Sequence, residues 1–177
     1  MPNELDVLID ARQLARRVPE LAADLRRDAG AETPIHLVGV LQGAFVFLAD
    51  LMRAIDGPVS CDFIALSSYG TATTSSGEVR LTKDLDHRIE GRYVVIVEDI
   101  VDTGVTLAYL QDILRARAPR SLRTMCLLSK RGRRRADVAV DYVGFDIDDR
   151  FVVGYGLDWN EQYRQLPHVA VLAEVHA

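Results

Sequence analysis

Three carboxylates, Glu98, Asp99 and Asp102, stand close together, with Thr103, Gly104 and Thr106 directly behind them. They follow an apolar run in Val94-Val95-Ile96-Val97-Glu98-Asp99-Ile100-Val101-Asp102-Thr103-Gly104-Val105-Thr106. A buried strand thus delivers an acidic pair at its carboxyl end, where ligands bind in an open α/β sheet. The turn then opens a helix. The helix's first N–H groups, with the Thr103 and Thr106 hydroxyls, make a phosphate cradle. Gly104 lets the backbone approach the anion closely. Carboxylates this near one another repel and rise in pKa unless partners relieve them. Vicinal sugar hydroxyls would do so, and so would a divalent cation. The plainer alternative is two strand-end acids and an Asp102 that caps a helix.

The elements that must position these residues are legible in the periodicity. Asp10 and Gln13 read as a capping box. Leu14, Val18, Leu21 and Leu25 recur at helical spacing, with Pro19 as a kink and Gly30 as the stop. Ile35–Leu41 reads as a buried strand, 43–55 as a helix and Val59–Leu66 as a second strand. Ser67–Gly77 is a long Ser/Thr/Gly loop without an apolar face, of the kind that is either a lid or unstructured. Val79–Thr82 closes it as a short strand. Tyr93–Val97 is the third buried strand. Gly104–Ala118 is a helix with Leu107, Leu110, Leu114 and Ala118 on one face, stopped by Pro119. Leu122–Leu128 is the fourth strand. The alternation predicts an α/β fold, a parallel sheet with flanking helices. The shorter pieces from Val138 onward suit a small C-terminal hood, so residues 1–177 form one domain, with the hood mainly 138–177.

The acidic stretch resembles the phosphoribosyl-pyrophosphate signature of the type I phosphoribosyltransferases. The C-terminal half carries Leu128-Ser129-Lys130-Arg131, Asp141-Tyr142-Val143-Gly144-Phe145-Asp146-Ile147 and Arg150-Phe151-Val152-Val153-Gly154-Tyr155-Gly156-Leu157-Asp158-Trp159-Asn160-Glu161. With it, the chain from about Val38 to Val171 resembles the hypoxanthine-guanine branch of that family. The resemblance implies purine salvage: transfer of a phosphoribosyl group to N9 of hypoxanthine or guanine, with Mg²⁺ and release of pyrophosphate. It places Glu98 and Asp99 on the ribose hydroxyls and Asp102, Thr103, Gly104, Val105 and Thr106 around the 5′-phosphate. Asp102 becomes the general acid/base at N7. Lys130 meets the purine O6, Phe151 stacks on the ring and Val152 offers its backbone to the base edge. Asp158, with Glu98 and Asp99, serves Mg²⁺. Leu41, Gln42, Gly43 and Arg164 face pyrophosphate, often with a non-proline cis peptide before the second residue of that turn. Ser68 and Tyr69 begin the loop that closes over the site, with Gly70 and Gly77 as hinges. An ammonium at O6 prefers a 6-oxo over a 6-amino group, because the amino group would bring a second donor. Relatives commonly carry Lys where this chain has Gln42. A backbone role survives that change and a charge-based role does not.

Bulk properties exclude several rivals. Net charge is -5 from 21 basic and 26 acidic residues, which disfavours nucleic acid and anionic membranes. The run Lys130-Arg131-Gly132-Arg133-Arg134-Arg135 reads as a solvated loop, with nucleic-acid binding by a regulatory relative as the alternative. Xanthine preference is the alternative within the enzyme class. Cys61 and Cys126 match no metal or redox spacing and read as buried thiols. The acidic N-terminus lacks a signal-peptide core and no run is long enough to cross a bilayer, so a cytoplasmic location is expected. The resemblance further implies a homodimer or homotetramer.

Overall fold

The computed structural model describes residues 5–69 and 78–172. Six strands form the main sheet in the order β4-β3-β2-β5-β6-β7. They are β2 (Ile35–Leu41), β3 (Val59–Tyr69), β4 (Glu78–Lys83), β5 (Tyr93–Val101), β6 (Ser121–Ser129) and β7 (Tyr142–Asp146). All neighbours are parallel except the edge strand β4, which pairs antiparallel with β3. A second sheet, β1-β9-β8, joins Leu5–Ile9 to Val169–Leu172 and Val152–Val153.

Both faces of the main sheet are covered, which is why its central strands are apolar throughout rather than alternating. Helix α1 (Ala11–Ala29) and helix α2 (Phe45–Ala54) cover one face. Leu14, Leu21, Leu25, Phe47 and Leu51 pack there with Leu37, Val95, Val97 and Met125. Helix α3 (Val105–Arg115) covers the other, with Leu107, Leu110 and Leu114 against Val38, Ile64, Val94 and Ile96. The expected capping box is present: Gln13 N donates to Asp10 Oδ1 and Asp10 N to Gln13 Oε1, both at 2.8 Å. Pro19 lies inside α1, which runs on to Ala29.

Some boundaries differ from the sequence reading. Strand β3 continues through Ser68 and Tyr69, which pair with Val79 and Glu78. These two residues therefore lie on a strand, because β4 supplies a ladder for polar residues. The rest of the segment expected as a loop, including Gly70 and Gly77, lies outside the described residues. Helix α3 stops at Arg115, and Ala118 has left the helix with φ 52°. The segment from Val138 onward divides. Tyr142–Asp146 joins the main sheet beside β6, and only β8 and β9 belong to the second sheet, with β1 from the N-terminus as third strand. Helix α1 holds the β7 edge: Arg17 donates to the carbonyls of Val143 and Gly144, and Tyr142 Oη donates to Asp28.

The strand order fixes where a ligand crevice opens. From β2 the chain crosses to β3 on one side, and later to β5 on the other. At such a switch point the loops leave the strand ends in opposite directions and expose a cleft at the carboxyl ends. Those ends carry Leu41-Gln42-Gly43 on β2 and Glu98 through Thr103 on β5.

Candidate active site

The acidic pair lies in the last half of β5. Glu98 is 7% exposed. Burial, and then the neighbouring Asp99 charge, push its carboxyl well above the usual range. Burial likewise raises Asp99 to about 6, against N–H donors, chiefly Ile100 N at 2.8 Å, and the Arg164 charge. Neither shift suits a structural ion pair, where a partner would lower the pKa. Both follow from acids held close together with little compensating charge.

The turn beyond them is shaped to receive an anion. Gly104, at φ 81°, turns the backbone into α3, a conformation in which a side chain is strained. The first intrahelical bond is Ala108 N to Gly104 O, so the N–H groups of Val105, Thr106 and Leu107 precede the helical ladder. Thr103 Oγ1 accepts weakly from Val105 N at 3.5 Å. A concavity of about 120 Å³ is lined by Glu98, Ile100, Val101, Asp102, Thr103, Gly104, Thr106 and Leu107. The residues expected to form the cradle, Asp102 through Thr106, thus stand together around one concavity.

Asp102 faces the end of the adjacent strand β6, where Lys130 follows Ser129. Lys130 is buried, with Nζ 4.0 Å from Asp102 Oδ2 and 3.5 Å from Asp149 Oδ1. Arg133 bridges the same two acids, its Nε 2.8 Å from Asp102 Oδ1 and its Nη1 2.9 Å from Asp149 Oδ2. The Nε contact lacks hydrogen-bond alignment, so Asp102 Oδ1 keeps an unused acceptor. A concavity of about 320 Å³ adjoins Lys130, between residues 130–133 and 146–149. Phe151, two residues beyond Asp149, is 43% exposed, so its ring is surface and not core. Val152 follows, buried in β8, with only its main chain at issue. Arg133 and Asp149 did not stand out in the sequence. The one available signal was the arginine run, which composition alone reads as solvent-facing.

The third group lies at the end of β2. The Leu41–Gln42 peptide is cis. Gly43 passes so close to Asp99 that a Cβ there would overlap its carboxylate. Gly156 in turn would overlap the Gly43 carbonyl if it carried a Cβ. The segment after β8 thus packs directly on this turn. It folds back on itself through Gly156 N to Arg164 O at 3.0 Å and Tyr155 N to Leu166 O at 2.9 Å. That return brings Asp158 to Arg164. Arg164 Nη2 lies 2.8 Å from Asp158 Oδ1 and donates to Gln42 Oε1 at 3.5 Å, and Nη1 donates to the Gly156 carbonyl at 2.6 Å. Asp158 Oδ2 also accepts Glu161 N. Gln42 therefore meets a guanidinium with a neutral acceptor, where an ammonium would be repelled.

Among the described residues no three His, Cys, Asp or Glu side chains are arranged to hold a metal by themselves. The upward-shifted Glu98 and Asp99, with the Asp158 charge raising Asp99 further, are nonetheless carboxylates that could hold a hydrated divalent cation. A cavity of about 800 Å³ lies elsewhere, between α1, α2 and residues 164–167. It is mostly apolar and holds none of the three acids. No helix among the described residues is long and apolar enough to cross a membrane.

Comparisons with known proteins agree with this geometry. The phosphoribosyl transferase domain family matches residues 5–160. The chain is 47% identical over 166 residues to a hypoxanthine-guanine phosphoribosyltransferase of Bacillus subtilis (strain 168), covering 94% of this chain and 92% of that one. It is 51% identical over 171 residues to that of Mycobacterium avium, covering 94% and 84%. Among solved structures, a hypoxanthine-guanine phosphoribosyltransferase of Bacillus anthracis, with a HEPES molecule in its active site, superposes with a TM-score of 0.90. It shares 47% identity and covers 95% of this chain and 99% of that one. The acid pair, the Asp102–Thr106 turn and the switch-point cleft stand in a chain that belongs to the phosphoribosyl transferase family.

Proposed function

We propose that this chain transfers the phosphoribosyl group of phosphoribosyl pyrophosphate to N9 of hypoxanthine or guanine, forming IMP or GMP and pyrophosphate. The observation that carries this reading is the Lys130–Asp102 pair. An ammonium and a carboxylate 4.0 Å apart stand beside a phosphate cradle, at the ends of adjacent parallel strands. O6 and N7 are neighbours on a 6-oxopurine, and the two groups match them: Lys130 donates to O6 while Asp102 serves the N7 proton.

In this reading the cradle from Asp102 through Thr106 binds the 5′-phosphate and orients C1′ by remote binding energy. Glu98 and Asp99 accept from the ribose hydroxyls. Phe151 lies over the base and Val152 meets its edge through the backbone. Leu41, Gln42, Gly43 and Arg164 receive pyrophosphate. Mg²⁺, when bound near Glu98, Asp99 and Asp158, neutralises charge on the leaving group. Ser68 and Tyr69 carry the loop that excludes water from an oxocarbenium-like sugar. Self-association as a homodimer or homotetramer in the cytoplasm belongs to the same reading.

The test is nucleotide formation from phosphoribosyl pyrophosphate and Mg²⁺ with hypoxanthine, guanine, xanthine and adenine in parallel. Hypoxanthine and guanine should turn over, with adenine at least about 100-fold poorer. Equal use of adenine would remove the role given to Lys130. Preference for xanthine would reassign the base.

A further inference from the structure

Three arginines of the run after Lys130 contact acceptors within the chain. Arg131 Nε lies 2.8 Å from Asp146 Oδ1, and Arg133 binds the carboxylates of Asp102 and Asp149. Arg134 turns the opposite way. Its Nη1 donates to the main-chain carbonyl of Asp102 at 3.1 Å, and its Nη2 to Ser129 Oγ at 3.0 Å. Ser129 is 1% exposed and directly precedes Lys130. The next two residues continue the contact through their main chain, Arg135 N and Ala136 N both donating to Thr103 O, at 2.9 and 3.2 Å. Lys130 N donates to Val101 O at 3.0 Å. The end of β6 and the turn after β5 are thus joined behind the site by a strap of which Arg134 is the side-chain member.

We propose that Arg134 is a positioning residue for the reaction: its guanidinium fixes the backbone of Asp102 relative to that of Lys130. The proposal rests on the reading of Asp102 at N7 and Lys130 at O6. Those atoms share one edge of the base, so the separation of carboxylate and ammonium has to match theirs. Both side chains rotate, and the backbone spacing beneath them is set by the Lys130–Val101 bond and the Arg134 fork. A planar guanidinium serves two acceptors in a fixed geometry, whereas a lysine reaches only one. Arg134 spends both Nη groups behind the turn, so it acts through Asp102 and not on the substrate.

Arg134→Ala, Arg134→Lys, Ser129→Ala and the Ser129→Ala/Arg134→Ala double variant test this with hypoxanthine and phosphoribosyl pyrophosphate. Misplacement of a reacting group by about 1 Å costs up to about 100-fold. Arg134→Ala should therefore lower kcat about 10- to 100-fold. Its KM for phosphoribosyl pyrophosphate should stay within about 3-fold, because the main-chain bonds to Thr103 remain. Arg134→Lys should recover part of the loss. Ser129→Ala should cost about 3- to 10-fold, and the double variant should be no worse than Arg134→Ala, since Ser129 acts through Arg134. Wild-type kcat in Arg134→Lys and Ser129→Ala, losses that multiply in the double variant, or a fall matched by lost folded protein in thermal melts would overturn the proposal. If Arg134→Ala does not fold, the Lys and Ser129 variants decide alone. An inactive wild type would overturn the functional reading itself, whereas an active wild type with indifferent variants overturns only the role of Arg134.

Discussion

At the scale of single residues, the site asks each group to be charged or neutral for a reason. Lys130 is buried between two carboxylates, which keeps an ammonium in place where an apolar pocket would expel it. Lys130→Ala should lower kcat/KM for hypoxanthine about 10- to 100-fold, the worth of one charged hydrogen bond, and lower that for adenine less. Steady-state kinetics on both bases check this. Gln42 gives Arg164 a weak third partner at 3.5 Å, while Asp158 and the Gly156 carbonyl hold it at 2.8 and 2.6 Å. Gln42→Ala should therefore raise KM for phosphoribosyl pyrophosphate by no more than about 3-fold. If Arg164 receives pyrophosphate as proposed, Arg164→Ala should raise it about 10- to 100-fold through loss of a charge-assisted contact. A reversed order would place the side-chain role on Gln42. Glu98, Asp99, Asp102 and Thr106 were legible because they are nearly consecutive and each type carries the chemistry on its face. Ser129, Arg134 and Asp149 were not. Arg134 meets the Asp102 carbonyl across 32 positions, and nothing local marks an arginine in a basic run as inward-facing.

At the scale of elements, the sheet holds the cleft open and one buried acid ties the β4–β5 connection to it. Asp62 on β3 is 4% exposed. Its carboxylate accepts from Phe63 N at 2.7 Å, Asp86 N at 2.8 Å and His87 N at 2.9 Å. Burial pushes this carboxyl up, and the donors on Phe63, His87 and Asp86 outweigh burial, so the net shift is downward. A depressed folded-state pKa contributes stability above the unfolded value of about 3.9, and that stability is lost as pH falls through the lower folded value. Asp62→Asn should destabilise the fold by about 2–3 kcal/mol at pH 7, with the difference shrinking below about pH 4. Urea unfolding between pH 3 and 7 measures it, and a difference unchanged with pH would exclude this account. Ile35–Leu41 and the core of β5 could be read directly, since a two-sided sheet demands unbroken apolar runs. Strands β1 and β7 could not. Each is five residues with polar members, and β1 finds its partner β9 more than a hundred and fifty residues along the chain.

At the scale of the whole molecule, charge decides what the surface avoids. The chain carries net charge -5, and Arg131, Arg133 and Arg134 are held by Asp146, by Asp102 with Asp149, and by the Asp102 carbonyl with Ser129. Gel-shift titrations with RNA or duplex DNA at physiological salt should show no specific binding, and a steep salt-dependent affinity abolished by Arg133→Ala would contradict this. The segment after β8 reaches the main sheet where Gly156 packs on Gly43 and Gly43 on Asp99, so that segment and the acid pair adjoin at the cleft. The proposed reaction turns on Asp102, which stands between the turn after β5 and Lys130 and is assigned the proton of the base. Single-turnover nucleotide formation by Asp102→Asn, alongside its affinity for phosphoribosyl pyrophosphate with Mg²⁺, tests that claim most directly. The variant should keep near wild-type affinity and lose about 100- to 10,000-fold in rate. A folded Asp102→Asn that forms IMP at the wild-type rate would contradict it.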